Sequence, residues 1–435
     1  MSIILKNGVV FDGFTMGTER EDILVKDGVV ARRGADLAEE GARVIDCAGR
    51  IVCPGFIDLH AHFRDPGFEW REDITSGARA AAAGGYTTVV AMPNTEPAVD
   101  SQVAVEYVIS RGESAGGARV LPAACVSRGR KGGRMAELGL MAQSGAVFFT
   151  DDGSPVSNAG LLKTALRYSR DLEVRIMEHP EEPSLTEGAQ VNEGAVSASS
   201  GLKGWPSSAE VIDIERGVAL CRETDSPIHF THVSTEHGID AIRRAKREGL
   251  PVSCDVTPHH LSLDENYVLV GRFSSTYKVN PPLRTRRDVK MLWNAVEDGT
   301  ADAIATDHSP YHMDDKDVPF QEAPFGIASI ECSVAVVLDT WRKLGRPVPL
   351  ERLLSLFTSG PGALLPRSWR SLGALRERAR ADVTVIDMEE VRTVDVSEWK
   401  SKARVCPWSG EMLQGWPVLA MVDGRIRMNR LEEVK

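Results

Sequence analysis

Between residues 54 and 365, short apolar runs rich in β-branched residues alternate with longer stretches of Ala, Leu, Arg and Glu. The runs are GFIDLHAH, TTVVAMPN, ARVLPAACV, AVFFTDDG, EVRIMEHP, PIHFTHVS, PVSCDVTPHH and ADAIATDHSP. Each is short and apolar enough to be a strand buried on both faces. Segments between them, such as EDITSGARAAAAGG and STEHGIDAIRRAKREGL, read as helices. Eight β/α units over about 300 residues predict an α/β fold of the (β/α)8 TIM-barrel type. A doubly wound open sheet is the alternative, but no Gly-rich dinucleotide fingerprint follows the first strand. The two ends of the chain follow a different rhythm of short strands and tight turns. Asn7-Gly8, Asp27-Gly28 and Asp423-Gly424 each sit between β-formers and read as hairpin turns. ARVIDCAGRIVCPG and ADVTVIDMEE continue that style. The expectation is one small β-sandwich built from residues 1–53 and 366–435, flanking a barrel over 54–365.

Nearly every central run ends in a residue capable of chemistry: His60 and His62, Asn94, Asp151 and Asp152, His179, His232, His259 and His260, and Asp307. In a barrel the C-terminal strand ends all face one mouth, where active sites sit. Residues i and i+2 of a strand point the same way, so His60 and His62 aim at one point. Alone, an H-x-H is as readily a pair of hydrogen-bonded core histidines, and Asp-Asp-Gly is more readily a plain turn. The convergence of so many strand ends outweighs both readings. His60, His62, His179, His232 and Asp307 offer nitrogen and oxygen donors suited to Zn²⁺, with Mn²⁺, Co²⁺ or Fe²⁺ as options. Four imidazoles exceed the needs of one catalytic zinc, which predicts two ions with an anionic bridge from Asp151 or Asp152.

Composition narrows the class. The chain has 435 residues, 42% hydrophobic and 26% charged, with a formal charge of −11. These are ordinary globular values, and the acidity argues against nucleic acid or an anionic membrane as partner. Seven cysteines without a C-x-x-C pair suit free thiols in a reducing cytoplasm. MSIILKNGVVFDG lacks the features of a signal peptide, and no apolar run reaches membrane-spanning length. A soluble cytoplasmic enzyme is the expectation.

Several longer motifs add a family. DLHAHFRDPGFEWREDITSGARAAAAGGYTTVVAMPNTEPAVD, EHPEEPSLTEGAQVNEG, HVST, VTPHHLSLDE, YKVNPPLRTRRD and APFGIASIE all occur in order. From about residue 50 to about residue 365 the chain resembles class I dihydroorotases of the amidohydrolase superfamily. That resemblance implies two zinc ions, one on His60 and His62 and the other on His179 and His232. It implies an aspartate bridge, Asp152 with Asp151 as fallback, since GAVFFTDDGSP holds no lysine. Asp307, in ATDHSP, becomes the last ligand and the proton shuttle. Arg64 and Asn94, beside His62, would hold the substrate carboxylate. Asn280 and the backbone near Phe325 and Gly326 would face the ring amide and carbonyl. Arg64 also fits on physical grounds, since a guanidinium two residues past a ligand can fork onto a carboxylate. One departure stands out: DHSPYHMDD has Tyr311, followed by His312, where the family commonly has a carboxylate-binding histidine. A tyrosine hydroxyl donates a hydrogen bond but brings no charge; His312 would reach in only if the loop shifted by one residue. Residues 311–324 read as a long, polar, irregular loop, a lid over the mouth.

The implied activity is the zinc-dependent, reversible cyclisation of N-carbamoyl-L-aspartate to dihydroorotate and water in pyrimidine synthesis. Hydantoinase, dihydropyrimidinase and allantoinase are the alternatives within the same chemistry. A non-catalytic scaffold for aspartate transcarbamoylase is disfavoured, because every ligand position is filled. A homodimer is expected, and an active complex with aspartate transcarbamoylase is compatible with the resemblance.

Overall fold

The computed structural model describes residues 2–431. The N-terminal segment supplies β1 (Ser2–Phe11), β2 (Met16–Lys26), β3 (Val29–Gly34), β4 (Arg43–Asp46) and β5 (Ile51–Pro54). β1 is the pivot: it runs antiparallel to β2, parallel to β4 through Ile3–Lys6, and parallel to β5 at Val9 and Val10. Asp27-Gly28 forms the β2–β3 turn as expected. Asn7-Gly8 does not form a turn. β1 passes straight through it with a bulge, Asn7 at φ 62°, and the Asn7 side chain reaches across to Asp46. Val52 packs where a side chain on Gly8 would stand, so the glycine serves close strand approach. The real reversal lies at Asp12–Thr15, where the Asp12 carboxylate accepts from the amides of Phe14 and Thr15.

Each of the eight central runs forms one barrel strand. They are β6 (Phe56–Ala61), β7 (Tyr86–Ala91), β8 (Arg119–Ala124), β9 (Phe148–Phe149) and β10 (Arg175–Glu178) in the first part. A small parallel ribbon, β11 (Val191–Asn192) with β12 (Gly204–Trp205), decorates the loop that follows. β13 (Ile228–Phe230), β14 (Val252–Val256) and β15 (Ala303–Ile304) complete the set. All neighbours are parallel and sequential, and a parallel bridge between Ala61 and His308 joins the last strand's exit to the first. Ile57, Leu59, Val90, Leu121, Phe148 and Met177 fill a buried cluster of strand residues, while helices cover the outside. The helix Ile74–Ala83 is capped by Asp73, whose carboxylate accepts from the Ser76 amide. Its Gly77 lies against the Phe63 ring, fixing the chain just past His62.

β16 (Val383–Thr393), β17 (Met412–Val422) and β18 (Arg425–Asn429) return to the N-terminal sheet. β16 pairs antiparallel with β5, and Asp423-Gly424 is the β17–β18 turn. The two chain ends thus share a sheet with its own core of Ile3, Leu5, Ile23, Val52, Val385 and Leu419.

Residues 311–324 depart from the expected irregular loop. They hold a short helix, Met313–Lys316, and bury Lys316, Phe320 and Ala323. The cause is a pair of buried ammonium groups. Lys316 donates to the carbonyls of Pro324 and Gly326, and Lys278 donates to those of Phe320 and Gln321. Among the described residues, no helix is long and apolar enough to cross a membrane.

Candidate metal centre

The strand ends deliver their side chains to one point. His60 is the next-to-last residue of β6 and His62 lies just beyond it; His179 directly follows β10. His232 and Asp307 follow β13 and β15 on strained backbone, at φ 39° and φ 46°. Positive φ in non-glycine residues is costly and is held only where surrounding structure demands it. Asp152 follows β9.

Asp152 straddles two pairs of imidazoles. Its Oδ2 lies 3.2 Å from His60 Nε2 and 3.5 Å from His62 Nε2. Its Oδ1 lies 3.4 Å from His179 Nδ1 and 3.5 Å from His232 Nε2. Asp307 Oδ1 is 3.2 Å from His62 Nε2 and 3.6 Å from His60 Nε2. His60 and His62 bring their Nε2 atoms within 3.2 Å, and His179 Nδ1 meets His232 Nε2 at 2.9 Å. Asp151, the fallback, points elsewhere: it accepts from the Ser127 amide at 3.0 Å and from the Ser127 hydroxyl.

Outer hydrogen bonds fix which nitrogen of each ring faces inward. His60 Nδ1 donates to Thr231 Oγ1 at 2.7 Å, and that hydroxyl donates onward to Asp255. His62 Nδ1 donates to Asn94 Oδ1 at 2.8 Å. His179 Nε2 donates to Glu181 at 3.0 Å. In their neutral forms these three rings therefore present lone pairs to the centre. Asp255 also accepts from the His232 amide, holding that residue in its strained turn.

The donor set fits divalent cations. Lone pairs of adjacent imidazoles at about 3 Å repel one another without a positive charge between them, and Asp152 Oδ1 is a buried oxygen with no hydrogen-bond partner. Two groupings satisfy ligand spacing, His60–Asp152–His232 and His60–His62–Asp307, each with its donor atoms within 4.8 Å of one another. The electrostatics agree. Burial opposes ionisation of Asp152, yet the imidazoles around it hold it well below the usual carboxylate range. Burial pulls His60 down, but the facing carboxylates of Asp152 and Asp307 push it up to about 9. His179 is raised to about 10 by Asp152 and Glu181 against the same opposition. Burial leaves His62 below its ordinary value. Positive charge is thus favoured at the inward-facing nitrogens of His60 and His179, whether a proton or a cation carries it.

Above this cluster lies a cavity of about 380 Å³. His62, Arg64, Asn94, Asn280, Tyr311, Phe325 and Gly326 all line it, with Asp152, His179, His232 and Asp307 at its floor. Arg64 does not reach the cavity by strand alternation from His62. β6 ends at Ala61, and Arg64 reaches the cavity through a left-handed turn at φ 58°. Its guanidinium donates to Ser309 Oγ and the Pro310 carbonyl, and no carboxylate pairs with it among the described residues. The nearby carboxylates are turned to other partners: Asp65 accepts from Tyr107, and Glu69 accepts from the Gly67 amide. Asn94 caps no helix; its amide oxygen is spent on His62. Asn280 donates to Glu181 at 3.4 Å. Tyr311 presents its ring to Arg64, 4.8 Å from the guanidinium carbon to the centroid. His312 stays outside the cavity, exposed, capping the helix Met313–Lys316.

Sequence reasoning passed over Thr231, Asp255 and Glu181. A signal was present for each. Thr231 adjoins His232 in HFTHVS, Asp255 is an acid inside an apolar strand, and Glu181 sits two residues past His179. An ionisable group in such a place must find partners. His259 has both ring nitrogens sealed from solvent without a partner, and burial holds it down to about 4; it does not line the cavity.

Comparison with known proteins adds to this geometry. Residues 49–238 match the family model described as Dihydro-orotase-like. The dihydroorotase of Pelotomaculum thermopropionicum is 41% identical over 430 residues, 98% of this chain and 99% of that one. The dihydroorotase of Deinococcus radiodurans is 40% identical over 416 residues, 95% of this chain and 97% of the other. Among solved structures, the L-hydantoinase (dihydropyrimidinase) of Arthrobacter aurescens superposes with a TM-score of 0.86 at 25% identity, covering 100% of this chain and 97% of its own. A D-hydantoinase superposes at 0.85 with 22% identity, covering 100% and 96%, which is a likeness of fold.

Proposed function

The chain belongs to the dihydroorotase family of cyclic amidohydrolases, and we propose that it catalyses the reversible closure of N-carbamoyl-L-aspartate to dihydroorotate and water, in pyrimidine synthesis. The observation that carries this choice among cyclic amides is Arg64: a buried guanidinium with no carboxylate partner, opening on the cavity above the His/Asp cluster. A ring bearing a carboxylate completes it. The hydantoins and dihydropyrimidines named for the solved neighbours would leave that charge unanswered. Orphaned buried charge is costly, which weighs against them.

In this reading His60 and His62 would hold one divalent cation and His179 and His232 the other, with Asp152 and Asp307 as the carboxylate ligands. Zinc is our choice of metal, two ions per subunit. Such a pair supplies Lewis acidity toward the amide carbonyl and a neutral-pH source of nucleophilic water. The chain's own residues do the rest. In hydrolysis Asp307 takes the proton from the attacking water and delivers it to the departing ring nitrogen; in ring closure it runs in reverse. Arg64 fixes the carboxylate, and with it the angle at which the reacting carbonyl meets Asp307. Asn94 Oδ1 and Glu181 keep His62 and His179 in the tautomers that leave their inner nitrogens unprotonated. Asn280, Tyr311 and the backbone at Phe325 and Gly326 wall the ring. The catalytic unit is residues 54–365, with 1–53 and 366–435 forming the β-sandwich. The working form in our reading is a cytoplasmic homodimer able to associate with aspartate transcarbamoylase.

The test is turnover of carbamoyl aspartate, dihydroorotate, hydantoin and allantoin by purified protein, with metal analysis alongside. Dihydroorotate and carbamoyl aspartate should be preferred, and a preference for hydantoin would overturn the reading. Asp307→Asn should keep at least one ion while turnover falls about 10²–10⁴-fold, the usual contribution of a positioned acid–base. Near-wild-type turnover of that variant would remove Asp307 from its role.

A further inference from the structure

Arg130 lines the cavity above the His/Asp cluster and is not needed to explain anything said so far. It also lines a second cavity of about 400 Å³, with Lys131, Ser154 and Asn158 on its walls. Arg130 and Gly153 belong to both cavities and stand between them. Arg130 is half-buried, and its Nε donates to the Asp151 carbonyl at 3.3 Å. That bond ties the guanidinium to the turn carrying Asp152. No carboxylate pairs with Arg130 among the described residues, and its terminal nitrogens are left as donors. A side-chain carbon built on Gly153 would lie 3.5 Å from Arg130 Nη2 and 3.6 Å from Asn94 Nδ2. The two donors therefore converge on one point above Gly153, which stays open because that residue is glycine at φ 60°. Asn94 is already committed to this geometry, since its Oδ1 accepts from His62 and only Nδ2 remains free. Tyr311, by contrast, has its ring engaged by Arg64, by Arg71 at 4.8 Å and by Lys316 at 5.9 Å. It supports cations and supplies none.

We propose that Arg130, together with Asn94 Nδ2, is a further substrate-binding residue that takes a carboxylate oxygen of the substrate over Gly153. The proposal rests on the dihydroorotase reading for the identity of the anion. A carboxylate accepts from two convergent donors, one of them charged, more strongly than any neutral group of the ring. In a chain of net charge −11, an unpaired guanidinium between an outer and an inner cavity also favours anions over neutral rings at the point of entry.

The experiment uses metal-loaded enzyme and two readouts: steady-state kinetics with dihydroorotate and hydantoin, and calorimetric binding of orotate and uracil. Arg130→Gln should raise KM for dihydroorotate and weaken orotate at least tenfold, the size of one charged hydrogen bond. The fall in kcat should stay under threefold, and uracil binding and hydantoin turnover should move less than twofold. Arg130→Lys should recover part of the loss, which separates a charge effect from a structural one. Orotate and dihydroorotate unchanged within twofold would overturn the proposal while leaving the dihydroorotase reading intact. Equal losses for orotate and uracil would overturn it as well. A wild-type enzyme that fails to turn over dihydroorotate, yet binds orotate through Arg130, would sink the activity and keep the anion site.

Discussion

Two adjacent aspartates, Asp151 and Asp152, differ by one position and by everything that matters chemically. Asp152 offers one oxygen to each pair of imidazoles, whereas Asp151 is bound by the Ser127 amide and hydroxyl. Burial raises the Asp151 carboxyl, and the Ser127 hydrogen bonds oppose that rise. If the proposed site holds metal, Asp152→Asn should therefore lower bound divalent metal to less than half the wild-type content. Asp151→Asn should keep the metal and cost about 1–3 kcal/mol of stability, the price of an imperfectly satisfied buried acceptor. Elemental analysis with thermal melts checks both, and zinc lost from Asp151→Asn with Asp152→Asn full would reverse the bridge. The sequence left this pair open because a one-residue choice at a strand exit depends on where the strand stops. β9 is only Phe148–Phe149, too short for alternation to decide. The histidines were readable because i, i+2 spacing and strand ends carry geometric information. Thr231, Asp255 and Glu181 carried only a weak signal, a polar group beside a ligand or inside an apolar strand, since a residue that orients another through its side chain has no required spacing from it.

The segment that walls the cavity depends on charge without counter-charge. Lys316 is 3% exposed and bonds only to backbone carbonyls. Burial, with the neighbouring Lys278 ammonium adding to it, pushes Lys316 down from 10.5 to about 7. In the unfolded chain the amine keeps its proton up to about pH 10. Between about pH 7 and 10 the unfolded state thus binds more protons than the folded one, so stability rises with pH across that window. The contribution is complete above the unfolded value and is lost as pH falls through about 7. Lys316→Met should remove this rise: melting temperature followed from pH 6.5 to 9.5 should climb less steeply than in wild type. Parallel curves would show that Lys316 does not titrate in this range. Elements of this kind escape sequence reading. MDDK and DVPFQEAP look solvated, and only the carbonyls they turn inward bury the lysine. The Asn7-Gly8 bulge escapes the sequence for a related reason. The dipeptide favours left-handed backbone, which suits a bulge as well as a turn, and Asp12, five residues later, captured the reversal.

The molecule as a whole is held by a joint at the end of the barrel away from the mouth. Arg119 opens β8 and donates to Asp382 at 2.5 Å and to Asp423 at 2.7 Å, so a barrel strand is tied to the residue just before β16 and to the β17–β18 turn. It also lies 5.6 Å from the Trp369 ring centroid. That the two ends come together in one β unit was readable, since both repeat the same hairpin rhythm; that they join in a single sheet was not. The joint was not, because Arg119 and Asp382 are separated by most of the barrel and neither sits in a motif. Side-chain exposure is 11% for Arg119 and 5% for Asp382, so this pair is effectively buried, while Asp423 at 43% is screened and adds little. Removing one partner of a buried pair strands the other charge, at a cost of about 3–5 kcal/mol. Arg119→Met should lower the melting temperature by that measure, and Arg119→Met with Asp382→Asn should recover part of it, because no charge is then left stranded. Positions at the barrel's closed end govern stability, not chemistry, so kcat/KM measured well below the melt should stay within twofold of wild type. If activity instead falls in step with stability, the joint reaches the His/Asp cluster through the strands, and the division between a stabilising base and a reactive mouth fails for this protein.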